Sequence, residues 1–484
     1  MSDRLEALLR ELERDRTLES GIEVARVAAE YFAASRAGER AVTTRLGAHE
    51  LVENVMRPGE SGRPLAEVTA ALRWLVAQSN WLNHPRYMGH QVSAALPLPV
   101  WSEAVIAALN QSVAIHEMSP AANAVEHVLV EWLLGHAGFG AGAGGTFTSG
   151  GTEANFTALL AARAVALPDA WREGVDAARA PVLVCGAHAH YAITRSAAQL
   201  GLGMRRVVAI PVTREFRMDV AALDHTLSTL EAEGTGVLAV VATAGSTPTG
   251  SYDDLEGIAE LCAPRDLWLH VDGAHGLSAL LSSRRRALVA GVGRARTAAW
   301  DPHKTLLLPL SAGVLLARRE ADLERAFTQD APYLFHAASG RSWDQGPRSF
   351  LCSRRADAVK LWVALLRYGS DGLGLLFDHL CDLTLALHER IIAHPRFEPL
   401  HRPDCNILCF RYLPPGITEE SRRDELNGRL RAHYNDVGTG WITTTVLAGR
   451  RVLRVTMMNP RTTPADLDGM LQELDERGGR LAAG

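Results

Sequence analysis

The chain has 484 residues, 47% hydrophobic and 22% charged, the composition of an ordinary globular protein with ample chain for a large core and more than one domain. A formal charge of -5 gives no footing for a nucleic-acid or anionic-membrane partner. No window reaches the roughly 20 apolar residues of a membrane span, and the opening MSDRLEALLRELERD has no apolar run of signal-peptide length. Six scattered cysteines form no CxxC pair, which argues against a disulfide framework or a zinc site and leaves the cytoplasm as the expected compartment, with no metal.

From the N-terminus, residues 2–35 carry helical periodicity, with Leu5, Leu8 and Leu9 and then Ile22, Val24, Val27 and Ala28 on apolar stripes. Such a segment must bury its stripe elsewhere, on its own subunit or on another. Trp81 opens a polar and aromatic stretch, WLNHPRYMGHQ, in which the Asn-His-Pro run reads as a turn. Glu117 and Ser119 before Pro120 mark the start of a long amphipathic helix. FTSGGTEANFTALLAARAVA then offers an anion loop. Gly150 and Gly151 let backbone amides come close to an anion, Ser149 and Thr152 add hydroxyls, and Thr152 opens a helix whose dipole favours negative charge.

The apolar run Pro181–Cys185 reads as a buried strand leading to His188 and His190. An HxH pair can ligate a metal, but no carboxylate or second cysteine follows at useful spacing. Val237–Leu255 is a strongly apolar strand ending in Thr243 and Ser246. Leu267–Val271 is another, ending on Asp272, and Thr297–Trp300 delivers Asp301, Pro302, His303 and Lys304. Strands alternating with helices build a mostly parallel sheet covered by helices on both faces, with ligands gathered at the strand ends. From about Asp371 the pattern becomes a smaller α+β domain whose last strand carries Arg454, a guanidinium suited to a carboxylate. The expected division is an N-terminal helical segment 1–80, a large domain 81–370 and a small domain 371–484.

Lysine occurs only at Lys304 and Lys360, and arginine supplies the other 48 basic residues. Lysine can be desolvated and used as an amine nucleophile toward an aldehyde, which arginine cannot. Lys304 is therefore the Schiff-base candidate, and Asp272 the partner for a protonated pyridine nitrogen. Lys360, inside a helical KLW, reads as structural, with a buried stem and a paired head.

HVDGAHG followed by WDPHK resembles the group II pyridoxal-phosphate decarboxylases, which include the glutamate, diaminobutyrate, cysteine-sulfinate and aromatic amino-acid enzymes. SGGT, AHYAITRSAAQLGLG and TAGSTPTGSYDDL resemble further elements of that family in the same order, so the likeness spans roughly residues 80–465. It implies pyridoxal 5'-phosphate as cofactor and fold type I, the aspartate-aminotransferase-like α/β architecture. It also implies a homodimer with active sites at the interface, the N-terminal segment packing across it. Residue by residue, it implies cofactor contacts at Ser149, Gly150, Gly151, Thr152, Thr243, Ser246, Asp272, Ala274, His303 and Lys304, with His190 stacked on the ring and acting in catalysis beside Lys304. It implies substrate contacts at Gln91, His336 and Arg454. A polar L-amino acid such as diaminobutyrate, glutamate or aspartate is the expected substrate, and carbon dioxide and the amine the products.

One segment departs from the family. The loop between Phe335 and Asp344 lacks the tyrosine that usually returns a proton to the substrate α carbon, and offers His336, Ser339, Arg341, Ser342 and Trp343 instead. A decarboxylation-dependent oxidase and an aminotransferase are the alternatives this raises. A catalytically silent partner subunit is the alternative of another class, opposed by the presence of both Asp272 and Lys304.

Overall fold

The computed structural model describes residues 3–38, 40–58, 60–327 and 343–483. Its centre is a seven-stranded sheet made of β1 (Gly144–Thr148), β2 (Val182–Gly186), β3 (Val207–Ile210), β4 (Val237–Thr243), β5 (Leu269–Asp272), β6 (Thr297–Trp300) and β7 (Gly313–Ala317), in the order β1-β7-β6-β5-β4-β2-β3. Pairings among β2 to β6 are parallel, whereas β7 runs antiparallel to both of its neighbours, β1 and β6. Two successive reversals return β1 to the direction of β6. The C-terminal ends of β1, β2, β4, β5 and β6 therefore share one edge of the sheet, where ligands of such folds gather.

The strands form because their residues are apolar throughout, as strands covered on both faces must be. Val240, Val241 and Ala242 of β4 are fully buried, as are Val271 of β5 and Ala298, Ala299 and Trp300 of β6. The helices Pro120–Ala137 and Gly151–Ala166 each turn apolar residues into this core, Leu133 and Leu134 from the first and Leu159 and Leu160 from the second. A second sheet holds β8 (Phe397–Pro399), β9 (Ile407–Tyr412), β10 (Thr443–Leu447) and β11 (Arg450–Thr456) in the order β10-β11-β9-β8.

Contacts group the chain into two compact units. One comprises Met1–His90, Tyr412–Leu453 and Arg461–Gly484, the other Gln91–Arg411 and Arg454–Pro460. Within the first, the Val42 N–H donates to the Gly438 carbonyl at 2.8 Å, and Arg86 pairs with Glu473 at 2.6 Å. These contacts join residues far apart in the chain. The helix Asp3–Asp15 buries none of its residues, and Leu8, Leu9 and Leu12 are exposed.

Burial fixes an acid sensitivity. His270 and His275 sit wholly inside the second unit, where desolvation holds them down at about 4 and about 3, so both are neutral. The unfolded chain takes up protons at both near pH 6.5 while the native chain refuses them, so stability is lost as pH falls below that value. Asp253 opposes this. Its burial raises it to about 6, so the native chain gains one proton there that the unfolded chain binds only near the ordinary carboxylate value. Burial also holds His401 down at about 4, so three such histidines against one aspartate leave the native chain less stable as pH falls from about 6.5 towards 4. Urea denaturation midpoints measured from pH 7 to 4.5 check this, and a flat profile contradicts it.

Candidate active site

Polar side chains gather where the parallel strands end. β4 ends on Thr243 and β5 on Asp272, which are paired in the sheet register. β6 ends on Trp300, and the next turn carries Asp301, His303 and Lys304. That turn is held from several sides. The Asp301 N–H donates to the Ala274 carbonyl at 3.1 Å, the Thr305 hydroxyl donates to the His275 carbonyl at 2.9 Å, and the Ser93 hydroxyl lies 3.2 Å from the His303 carbonyl. Lys304 thus projects from a turn fixed by β5 and by the segment after Gln91, instead of from a free loop.

The edge encloses a cavity of about 450 Å³ within the second unit. Its walls include Gln91, Ser149, Gly150, Gly151, Thr152, His190, Thr243, Asp272, Ala274, His303 and Lys304, which unites eleven of the residues singled out in the sequence. Two others stand apart. The Ser246 hydroxyl is buried in a chain with Thr249 and Ser251, at 2.9 and 2.8 Å. Arg454 is buried, donates to the carbonyls of Thr247 at 2.7 Å and Pro248 at 3.1 Å, and is not among the lining residues. It braces the Thr247 segment, which does line the cavity. His336 and the loop as far as residue 342 lie outside the described residues, whereas Trp343 packs edge-on against His127 with ring centroids 4.9 Å apart.

The anion loop shows why two glycines are needed. Gly150 has φ +152°, a conformation side chains rarely adopt, and a Cβ there meets the His303 ring at 3.0 Å. A Cβ on Gly151 meets Ala274 at 2.7 Å and the Asp301 carboxylate at 2.9 Å. The loop's donors are already turned onto carboxylates. Ser149 gives its N–H and O–H to Glu153 Oε2 at 2.8 and 2.6 Å, and Gly151 gives its N–H to Asp301 Oδ2 at 2.8 Å. Backbone and hydroxyl donors gathered on two anions at a helix N-terminus suit a phosphate.

His190 both caps a helix and lines the cavity. Its Nδ1 accepts the Ala192 N–H at 3.3 Å, which in a neutral ring leaves the proton on Nε2. Burial lowers its proton affinity below the ordinary histidine range, so the ring stays neutral at pH 7. His303 is fixed in the same way. Its Nδ1 accepts the Ala312 N–H at 3.0 Å, burial again lowers its affinity, and Nε2 faces Asp301 Oδ2 at 3.6 Å.

Several lining residues carry signals that the sequence reading did not use, namely Asn155, Tyr191, His275 and Asp301. Asp301 is 1% exposed, and its Oδ2 also lies 3.2 Å from Lys304 Nζ. A buried aspartate three residues before Lys304 was visible in WDPHK as a spacing, but not as a contact to Gly151. Lys360 is wholly buried and paired with Asp357 at 2.8 Å and Glu103 at 3.2 Å. It also donates to the carbonyls of Pro309 and Ser311, which flank the lining residue Leu310.

Comparison with known proteins agrees with this geometry. The family described as the pyridoxal-dependent decarboxylase conserved domain matches residues 74–413. The chain is 34% identical over 452 residues to an L-2,4-diaminobutyrate decarboxylase of Rhizobium meliloti (strain 1021), covering 91% of this chain and 87% of the relative. It is 32% identical over 431 residues to the cysteine sulfinic acid decarboxylase of Rattus norvegicus, covering 87% of each. A crystal structure of mouse CSAD superposes with a TM-score of 0.89 at 28% identity over 99% of both chains.

Proposed function

This chain belongs to the pyridoxal-dependent decarboxylase family, and from that premise we propose that it removes the α-carboxylate of a polar L-amino acid of the diaminobutyrate, glutamate or aspartate type, giving carbon dioxide and the amine. The observation that carries this reading is Lys304 and Asp272 opening on one cavity at the strand ends, beside an anion loop. Pyridoxal 5'-phosphate, when bound, supplies an electron sink for the pair left behind as carbon dioxide departs.

In this reading the chain's residues divide the remaining work. Lys304 provides the amine that holds the cofactor and later releases product. Asp272, 6% exposed with Oδ1 accepting the Ala274 N–H at 3.3 Å, keeps a positive charge on the ring nitrogen. Ser149, Gly150, Gly151 and Thr152 hold the phosphate. The neutral His190 ring would hold the cofactor and offer its Nε2 proton from the cavity wall, and Ala274, Thr243 and His303 would complete the seat, with Ser246 behind it.

Substrate polarity is supported by groups left without partners at lining residues. Gln91 Nε2 is a buried donor with no acceptor, and suits a substrate carboxylate. His275 donates through Nε2 to Asn406 Oδ1 at 2.8 Å, which leaves Nδ1 a buried acceptor with no donor. A carboxylate of the substrate can answer the first, and a hydrogen-bond donor on its side chain the second. His336 and Arg454 remain substrate contacts of the proposal, Arg454 through the Thr247 segment it braces.

The test incubates purified holoprotein with L-diaminobutyrate, L-glutamate, L-aspartate and L-tryptophan while carbon dioxide and oxygen are recorded together. Carbon dioxide from a polar substrate without oxygen uptake is the expected result. Oxygen consumed in step with carbon dioxide replaces the reading with an oxidase, and aldehyde with aminated cofactor replaces it with an aminotransferase. No turnover of any amino acid by cofactor-loaded protein leaves the silent partner subunit.

We infer in addition that two copies associate, because the exposed stripe Leu8, Leu9 and Leu12 finds no cover in its own chain among the described residues. Sedimentation at two concentrations reads this, and a monomer at both rejects it. Six free cysteines, five of them buried, support the cytoplasm as the compartment.

A further inference from the structure

The second unit carries another cavity, larger than the one around Lys304 at about 940 Å³, and the two share no lining residue. Five arginines stand on its wall, Arg214, Arg217, Arg284, Arg285 and Arg402. Three of them are committed to the fold. Arg217 pairs with Asp404 at 2.9 Å, Arg284 with Asp382 at 2.7 Å, and Arg285 with Asp378 and Asp382 at 2.7 Å each. Arg214 and Arg402 are exposed, and they make no ion pair and no side-chain hydrogen bond among the described residues. The remaining carboxylate of the wall, Glu215, is hydrogen-bonded with the Thr213 side chain. Five guanidinium groups thus meet four carboxylates, and the positive excess lies on the two arginines without partners.

A lone exposed arginine is simply hydrated. These two differ because the fold brings both to one surface. The Arg217–Asp404 ion pair ties the turn after β3 to the segment before β9, with Arg214 three residues from it on one side and Arg402 two residues from it on the other. The turn is itself fixed. Thr213 donates its N–H to the Arg217 carbonyl at 2.8 Å, and Phe216 donates its N–H to the Thr213 carbonyl at 3.0 Å. The Phe216 ring stacks on His188 and meets His401 edge-on, with ring centroids 5.6 and 5.9 Å apart. On the other side, His401 Nε2 accepts the N–H of Cys409 in β9 at 3.2 Å. The backbone under both free arginines is therefore set before a ligand arrives, which lowers the ordering cost of binding. Ala287, Leu288, Leu385 and Pro403 give the same cavity apolar surface.

Two guanidinium groups from separate segments suit a ligand with two anionic groups, and the apolar surface beside them suits a carbon body. We propose that this cavity binds a small organic acid carrying two anionic groups, carboxylate or phosphate, through Arg214 and Arg402. The site is separate from the one around Lys304 and needs none of its residues. Lysine occurs only at Lys304 and Lys360, so no amine on this wall can capture an aldehyde, and binding here is ionic and reversible.

Protein loaded with pyridoxal 5'-phosphate, so that the anion loop is occupied, is freed of excess cofactor and dialysed at low ionic strength against labelled succinate, 3-phosphoglycerate or acetate. Succinate or 3-phosphoglycerate is expected to bind saturably at one site per chain, the tighter of the two telling a dicarboxylate site from a phosphate site. Acetate, with a single anionic group, should bind about tenfold more weakly. Arg214→Gln and Arg402→Gln should each weaken binding about tenfold, the size of one charge-assisted contact. Neither should move the thermal midpoint, because neither side chain has a partner to lose. Arg179→Gln, which changes an exposed arginine outside the cavity, should leave the affinity as it is. Absence of saturable binding by both two-group acids overturns the proposal. So does an affinity indifferent to Arg214→Gln or to Arg402→Gln, which places the acid elsewhere. An equal loss in Arg179→Gln also overturns it, by reducing the binding to diffuse attraction from surface charge.

Discussion

Replacing Lys304 with alanine is expected to lower carbon dioxide release by about a thousandfold or more, on the scale seen when an enzyme loses its covalent nucleophile. The visible band of the bound cofactor should be lost with it. The protein should still fold, because Lys304 lies at the cavity wall with 22% of its side chain exposed, and Asp301 keeps the Gly151 N–H and faces His303 after the change. Lys304→Arg is the sharper variant. It preserves a positive charge beside Asp301 and removes only the amine, so equal loss in the two variants assigns the effect to nucleophilicity and not to charge. Activity within tenfold of wild type in either variant contradicts the assignment.

The second large effect concerns stability. Glu126 and Arg354 form an ion pair of 2.7 Å in which the side chains are 0% and 4% exposed. The pair also grips β1, since Glu126 accepts the Phe147 N–H at 3.2 Å and Arg354 donates to the Phe147 carbonyl at 2.8 Å, two residues before Ser149. Glu126→Gln keeps the shape but leaves a buried guanidinium without its counter-charge. Such breakage costs about 3–5 kcal/mol, far more than any exposed pair of this chain. Urea denaturation should report that loss, and cofactor affinity should fall in parallel because the anion loop starts from the gripped strand. Replacing both partners, Glu126→Leu with Arg354→Met, removes both charges and should recover a good part of the stability. A single variant within about 0.5 kcal/mol of wild type, the range of ordinary surface changes, contradicts this account.

Much of the site was legible because its signals are local. Lys304 stood out in a chain that uses arginine almost everywhere else, and Asp272 stood out as a charge ending an apolar strand. Gly150 and Gly151 announced a backbone that comes close to something, and their φ value and neighbours supply the reason. Other polar groups have partners that the sequence does not announce. Arg454 looked like a free guanidinium for a substrate carboxylate, but its N–H groups meet the Thr247 and Pro248 carbonyls, about 200 positions earlier. Ser246 reads like Thr243 in sequence, yet its hydroxyl turns into a chain with Thr249 and Ser251 while Thr243 stays on the cavity wall.

The sequence by itself determined the α/β architecture, the candidate lysine and the strand ends where ligands gather, and its resemblance to a known family implied the cofactor. The first three follow from short-range physics: the continuous apolar character of doubly covered strands, the amine of lysine, and the polar residues that close apolar runs. Only the tertiary structure decided how the polar groups are shared. It brought Asp301 onto the amide of Gly151, 150 positions away, matched Glu126 with Arg354 across 228 positions, and joined the first 90 residues to Tyr412–Leu453 in one compact unit. A buried polar atom takes whichever partner the packing of the whole chain brings within about 3 Å, and no local pattern records that choice.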